Sequence, residues 1–127
     1  MLLAGCDSIG VKGFMHPDEL EQLSFLATNR DVLEIGSFMG LSAFCMAIVA
    51  KSVQCVDTFR ANSAGQQQMP ELTTYQAFLS AVSRFNNVTH LVGTSEQAVS
   101  ILTADYDMVF LDAMHTYEDV KSDLERW

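Results

Sequence analysis

The segment DVLEIGSFMGLSA, residues 31–43, constrains the fold of this chain more than any other part of the sequence. It begins with a short apolar run that contains one acid, Glu34. Two glycines, Gly36 and Gly40, follow at a spacing of four, and an apolar stretch, 41–49, comes next. Because glycine tolerates positive φ angles and lets the backbone approach a ligand closely, this order predicts a strand, a tight turn and a helix.

The acid before the glycines indicates the kind of ligand. A carboxylate at the end of the strand does not suit a phosphate, whereas it suits a ligand with an ammonium group or hydroxyls. The pattern E-x-G-x-x-x-G also lacks the G-x-G-x-x-G cradle of dinucleotide-binding folds. The segment therefore favours a cofactor such as S-adenosylmethionine over a dinucleotide. The alternative is an ordinary strand–turn–helix unit whose glycines only permit the turn.

Composition limits the classes of protein that this chain can represent. With 127 residues, 49% of them hydrophobic, we expect one domain over 1–127 with an irregular lead-in at 1–16. A net charge of −9 argues against binding to nucleic acid, and no apolar run is long enough to span a membrane. Three cysteines without metal-ligand spacing predict free thiols in a reducing, cytoplasmic compartment, with Cys45 and Cys55 buried.

Hydrophobic periodicity predicts alternating helices and strands. The helices are expected at 17–29, 41–50, 70–85, 95–102 and 117–127, and the strands at 31–35, 52–56, 88–92 and 108–111. A polar segment, 58–69, is expected to form a loop. This alternation predicts an α/β fold, a Rossmann-like three-layer sandwich around a mainly parallel sheet.

Each predicted strand ends at a residue suited to binding. The four residues are Glu34, Asp57, Gly93 and Asp112. In a parallel sheet these positions gather along one rim, where ligands of open α/β folds bind. Asp57 lies 23 positions after Glu34, and an acid there can accept hydrogen bonds from both ribose hydroxyls of a nucleoside. The alternative for Asp57 is a solvated carboxylate at a strand end.

Two further segments offer chemistry. Ser95, two residues after Gly93, is expected to cap the next helix, to line an adenine pocket, or both. Asp112 is a hard oxygen ligand suited to Mg²⁺, and His115, three residues on, is of the residue type that most often serves as a general base. The alternatives are that Asp112 caps the last helix and that His115 only begins it.

Two motifs resemble those of a known family. VLEIGSFMGLS, residues 32–42, resembles motif I of class I S-adenosylmethionine-dependent methyltransferases, in particular the catechol and caffeoyl-CoA O-methyltransferase group and its small bacterial relatives. MVFLDAMH, residues 108–115, is similar to the segment in which that group carries a metal-ligand Asp and, three residues later, a catalytic Lys; here His115 stands at the Lys position. The segment from Asp112 to Tyr117 also resembles the D-x-x-H-x-Y pattern of small bacterial members.

The resemblance implies a role for each matching residue. Glu34 and Ser42 would hold the methionine moiety of S-adenosylmethionine, Asp57 the ribose, and Ser95 the adenine side. The full set implied for the cofactor is Glu34, Gly36, Gly40, Ser42, Asp57 and Ser95. Asp112 would be a catalytic metal ligand, with Mg²⁺ as an optional second cofactor, and His115 would deprotonate the hydroxyl of a small-molecule acceptor.

The family fold continues beyond the last predicted helix of this chain, with further strands and further metal ligands. The strand at 108–111 is therefore expected at an exposed apolar edge, which favours a homo-oligomer. The leading hypothesis is an O-methyltransferase that acts on a small molecule, with neither nucleic acid nor a membrane as partner. The alternatives are a non-catalytic S-adenosylmethionine-binding or assembly module and a Rossmann-type oxidoreductase, which the missing G-x-G-x-x-G disfavours.

Overall fold

The computed structural model describes Val11, Gly13 and residues 15–60, 71–112 and 117–127. These residues form five helices and four strands. The helices are α1 (Pro17–Ala27), α2 (Leu41–Ala47), α3 (Glu71–Val82), α4 (Ser95–Ile101) and α5 (Tyr117–Arg126). The strands are β1 (Asp31–Ile35), β2 (Ser52–Asp57), β3 (Val88–Val92) and β4 (Met108–Leu111). Most of the predicted lead-in and loop, and also His115, lie outside the described residues.

The four strands form one parallel sheet in the order β3-β2-β1-β4, which confirms the predicted fold class. The chain moves outward from β1 through β2 to β3 and then returns to the opposite side of β1. Such a reversal opens a crevice at the carboxyl ends of the two strands that flank it, and ligands of open α/β sheets bind there. In this sheet those strands are β1 and β4.

Helices cover both faces of the sheet, as a three-layer sandwich requires. Helices α1, α2 and α3 pack on the face that contains Val32 and the buried free thiol of Cys55. On the opposite face Leu33 packs against Ala98 of α4. Full burial of a side chain such as Leu33 contributes about 2–3 kcal/mol, so alternate residues of β1 hold both helical layers. Cys45 is also buried, as predicted.

Three helices end two or three residues earlier than periodicity predicts, and the other two end one residue earlier. Helix α1 ends at Ala27 rather than at 29, because Asn29 has a left-handed φ of 59°. Helix α2 ends at Ala47 rather than at 50, and two following amides donate to the carbonyl of Met46 in a tight turn. Helix α3 ends at Val82 rather than at 85. After α2 and α3 apolar residues continue beyond the last helical turn, so the spacing of apolar residues predicts longer helices than the backbone forms.

Strand β4 forms one edge of the sheet of described residues and pairs there with β1. This is the position predicted for it, and Val109 within it is 37% exposed. The homo-oligomer expected from this edge stays a prediction. Among the described residues, no helix combines the length and the apolar character that crossing a membrane requires.

Candidate functional site

The rim at the carboxyl ends of the strands is held together by backbone hydrogen bonds that continue the sheet. The amide of Gly36 donates to the carbonyl of Val56 at 2.8 Å, and the amide of Gly93 donates to that of Asp57 at 2.9 Å. The amide of Asp112 donates to the carbonyl of Ile35 at 2.8 Å. The strand ends therefore gather along one rim as the sequence predicts, and the loops that leave them start from fixed positions.

The turn between β1 and α2 has the backbone that its glycines predict. Gly36 and Gly40 have φ angles of 97° and 92°, in the left-handed region that favours glycine. A Cβ at position 40 would lie 3.0 Å from the Cβ of Ala81 and 3.3 Å from the ring of Phe78, both in α3. Gly40 thus serves two needs, a turn that other residues avoid and a close approach of α3.

Phe38, between the two glycines, also has a positive φ, of 47°. Aromatic residues rarely adopt this conformation, and it costs of the order of 1–3 kcal/mol unless the surroundings hold it. Here the holding group is the carboxylate of Asp57, whose Oδ2 accepts the Phe38 amide at 2.7 Å. Its Oδ1 accepts the amide of Phe59 at 2.9 Å, and Phe59 has a φ of 57°.

Asp57 therefore fastens the β1–α2 turn and the segment after β2 to the same carboxylate. It is the last residue of β2, one position beyond the predicted end of that strand, and it is half-buried. Each oxygen of a carboxylate has two acceptor positions. Asp57 can thus receive these two amides and still accept the hydroxyls of a ribose, so its structural role and its predicted binding role are compatible.

Glu34, the acid of the glycine motif, is completely buried. The hydroxyl of Ser42 donates to its Oε2 at 2.9 Å, while its Oε1 has no hydrogen-bond partner within the described part of the chain. Burial raises the pKa of Glu34 from 4.5 to about 8, and the nearby charges of Asp57 and Asp112 add to the rise. The hydroxyls of Ser42 and Ser37 oppose it. Glu34 is therefore mostly neutral at pH 7.

Ser37, which the sequence interpretation did not single out, completes this group. Its side chain is only 2% exposed, and its Oγ makes no hydrogen bond of normal geometry within residues 15–60, 71–112 and 117–127. An unsatisfied buried hydroxyl costs about 1–3 kcal/mol. Two buried polar atoms without a hydrogen bond of normal geometry among the described residues, Glu34 Oε1 and Ser37 Oγ, thus lie at the end of β1 and in the turn that follows it. The clue in the sequence is a small polar residue between the glycines.

The turn between β3 and α4 differs from the prediction for Ser95. The N-cap of α4 is Thr94, whose hydroxyl accepts the Gln97 amide at 3.1 Å while the Gln97 side chain accepts the Thr94 amide at 2.8 Å. Ser95 is the first helical residue, and its Oγ accepts hydrogen bonds from Arg126 and from the indole of Trp127. The predicted cap is therefore wrong by one residue. The proposed contact of Ser95 with adenine stays a prediction.

The metal site predicted around Asp112 finds no support in the donor groups. Asp112 is exposed directly after β4. Nowhere in the described part of the chain do three or more His, Cys, Asp or Glu side chains come together in a way that could hold a metal ion. His115 lies outside the described residues, so its predicted role as a base stays a prediction. The donors among the described residues do not form a set that fits Mg²⁺, and the metal-ligand role of Asp112 stays a prediction.

The comparisons with known proteins bear on the family. A family model described as a methyltransferase domain matches residues 33–127, most of the chain. This chain belongs to that methyltransferase family. The match begins within β1, one residue before Glu34, and includes the glycine turn and the whole rim. The resemblance inferred from the motifs is therefore confirmed at the level of the family. No curated protein sequence matches the chain.

Several solved structures share the fold. The O-methyltransferase TomG from Streptomyces achromogenes, solved in complex with S-adenosylmethionine (SAM), is 21% identical with a TM-score of 0.69; the match covers 89% of this chain and 50% of TomG. Cofactor-bound Rv0187 from MTB is 20% identical with a TM-score of 0.64, covering 98% and 58%. The N-methyltransferase NodS from Bradyrhizobium japonicum is 15% identical with a TM-score of 0.60, covering 86% and 56%. The methyltransferase chain described here thus spans about half the length of these proteins.

Proposed function

We propose that the carboxyl rim binds SAM and that the chain takes part in transferring its methyl group to a hydroxyl of a small molecule. The observation that carries the proposal is the pair of acids on adjacent strands, Glu34 and Asp57, with a positive-φ glycine turn between them. A carboxyl with a free oxygen suits an ammonium group, and a half-buried carboxylate suits the two hydroxyls of a ribose. SAM carries both of these groups.

The chain's own contribution to the reaction is positioning. SAM supplies an electrophilic methyl group on a sulfonium when bound. Asp57 holds the amides of Phe38 and Phe59 in place before any ligand arrives. Because holding two reactants in line can contribute about 7–11 kcal/mol of the barrier, a turn fixed in advance is a direct contribution to rate. His115 is proposed as the base that takes the proton of the acceptor hydroxyl.

The class of methyl acceptor is proposed from the charge of the chain, because the proteins that share the fold differ in their acceptors. TomG, one of the proteins with this fold, is an O-methyltransferase, whereas NodS is an N-methyltransferase, so the fold alone leaves the acceptor atom open. The net charge of −9 disfavours a nucleic acid backbone as the acceptor, because phosphate contacts need a basic surface. A neutral or cationic small molecule with a hydroxyl fits this charge better.

Calorimetric titration tests the cofactor assignment. The ligands are SAM, S-adenosylhomocysteine (SAH) and NAD, and we expect binding of the first two only. Asp57→Asn should weaken SAH binding about 10- to 100-fold, or about 1.4–2.8 kcal/mol, because it replaces one acceptor oxygen by an amide. Asp107→Asn is the matched control. Asp107 also accepts a backbone amide, that of Asp31, but it lies directly before β4, at the amino ends of the strands and away from the rim.

Three outcomes of this titration carry different conclusions. Binding of NAD but not of SAM or SAH would contradict the proposed cofactor. Equal SAH affinities for Asp57→Asn and the unmodified chain would remove Asp57 from the ribose site. Binding of SAM without methyl transfer to any hydroxyl acceptor, in assays with a panel of phenols and alcohols, would favour the non-catalytic module over the enzyme.

A further inference from the structure

The buried carboxyl of Glu34 is placed so that its charge state and ligand binding depend on each other. Its side chain has no solvent exposure, and among the described residues only Oε2 accepts a hydrogen bond of normal geometry, from Ser42. The hydroxyl of Ser37 lies close enough to oppose the rise in the Glu34 pKa without reaching that geometry. An ionised carboxylate in such a position has lost its hydration and has recovered one hydrogen bond. Because an isolated buried charge is strongly disfavoured, the neutral acid is the stable form.

The charged groups that face Glu34, Asp57 at the end of β2 and Asp112 after β4, both disfavour its ionisation. Cys55, its neighbour across the sheet in β2, adds no charge, because burial raises the pKa of its thiol. Helix α2 contributes the hydroxyl of Ser42 rather than a charge. Neither Lys nor Arg is among the groups that shift the pKa of this carboxyl. Among the described residues, the site therefore lacks the positive charge that would favour a buried carboxylate.

The ligand of the proposed function carries that missing charge. The amino group of its methionine moiety is an ammonium at neutral pH, and Glu34 Oε1 is the acceptor without a partner in the described residues. An opposite charge within about 4–6 Å can lower the pKa of a carboxyl by 1–3 units. Ligand binding would thus favour the ionised form of the group that the free protein keeps neutral.

We propose that Glu34 is protonated in the cofactor-free protein and ionises when the ammonium group of SAM or SAH binds, so that binding releases the Glu34 proton to the solvent. The inference rests on the proposed function, since it requires that the rim binds this ligand. The proton leaves Glu34 and enters the buffer, and the carboxylate that remains forms an ion pair with the ligand ammonium.

Linkage gives the sign of the pH dependence. Burial raises the pKa of Glu34 to about 8 in the free protein, and the ligand lowers it. Since protons are released on binding, affinity rises with pH between the lowered pKa of Glu34 in the complex and about 8, by up to tenfold per pH unit, and is level outside this range. A site whose carboxylate was ionised throughout would show no such rise.

Calorimetry in two buffers measures the released proton directly. SAH is titrated at pH 7 in phosphate and in Tris, whose ionisation enthalpies differ, and the difference in observed heat gives the proton count. We expect about 0.5–1 proton released by the unmodified chain, and close to zero by Glu34→Gln, which mimics the neutral acid. Glu21→Gln is the matched control, because Glu21 is an exposed acid on α1 and should leave the count unchanged.

The outcomes separate this inference from the proposed function. No SAH binding in either buffer contradicts the proposed function itself. Binding without proton release, or equal release by Glu34→Gln, overturns the inference and leaves the cofactor assignment intact. Infrared spectroscopy of the free protein adds a test that needs no ligand. A protonated-carboxyl band at pH 7 that is absent in Glu34→Gln and lost above pH 9 is expected, and its absence at pH 7 overturns the inference.

Discussion

The rim contains two strand-to-helix turns that differ in how well their polar groups are satisfied. In the β1–α2 turn, Gly36, Phe38 and Gly40 all have positive φ angles, and the hydroxyl of Ser37 and an oxygen of Glu34, at the end of β1, are buried without hydrogen bonds of normal geometry among the described residues. In the β3–α4 turn, Thr94 and Gln97 exchange two hydrogen bonds, and no residue of that turn has a positive φ.

The difference supports the proposed cofactor site at the β1–α2 turn. Folded proteins satisfy nearly all buried polar groups and avoid left-handed backbone outside glycine. A region that departs from both rules at once is destabilised by itself, and such departures cluster at functional sites. The β3–α4 turn obeys both rules, so stability alone explains it. The β1–α2 turn departs from both rules, which is expected if a ligand binds there as proposed.

The largest difference in stability is expected when one glycine of each turn, Gly40 or Gly93, is replaced by alanine. Gly40→Ala places a Cβ at a positive φ and 3.0 Å from Ala81 Cβ, so we expect a loss of about 2–4 kcal/mol in the free energy of unfolding. In Gly93→Ala the Cβ meets side-chain atoms alone, Gln97 Oε1 at 2.8 Å and Leu91 Cδ2 at 3.2 Å, and the loss should stay at about 1 kcal/mol. Urea denaturation measures both. Equal losses would break the comparison.

The second effect concerns pH. Since the pKa of Glu34 is higher in the folded protein than in the unfolded chain, the folded state binds more protons, and this group's contribution to stability falls as pH rises from 4.5 towards 8. Relative to Glu34→Gln, the unmodified chain should lose about 2 kcal/mol between pH 6 and pH 8. Denaturation curves at both pH values measure it, with Glu21→Gln as control. Parallel pH profiles for all three proteins would show that Glu34 is ionised in the fold.

The third effect separates a satisfied hydroxyl from an unsatisfied one. Thr94→Ala removes an N-cap that makes its hydrogen bond, so we expect a loss of about 1 kcal/mol. Ser37→Ala removes a buried hydroxyl without a partner in the described residues, and the change should be close to zero or slightly stabilising. Thermal denaturation of the two variants measures both changes in stability. A larger loss for Ser37→Ala would mean that its hydroxyl is bonded in the free protein.

Much of the fold follows from sequence because it depends on local pattern. The four strands were predictable from short apolar runs, and the left-handed turn from Gly36 and Gly40. The cap of α4 was also readable, since Thr94 and Gln97 have the T-x-x-Q spacing of a capping box. The choice of Ser95 missed that signal. The early end of α2 was not readable, because apolar residues continue past Ala47.

The sequence predicts where the site residues lie, but it does not predict the backbone conformation of Phe38 or the protonation of Glu34. The pattern places Glu34 and Asp57 at adjacent strand ends, and the hydrogen bond from the Phe59 amide to Asp57 is of the local Asx-turn type that Asp favours. The positive φ of Phe38 cannot be predicted from the preferences of nearby residues, because the group that holds it, Asp57, lies 19 positions away in the sequence. Likewise the neutral state of Glu34 arises from complete burial beneath helices that the strand pattern does not specify.

One measurement tests the central claim, that the β1–α2 turn and Asp57 form the cofactor site. In a nuclear magnetic resonance titration with SAH, the ¹⁵N-amide signals of Gly36, Phe38 and Phe59 should shift and saturate together. The amides of Asp31 and Ser52, at the amino ends of β1 and β2, should stay in place. Saturable shifts confined to the amino ends, or no shift at the rim at millimolar SAH, would contradict the account.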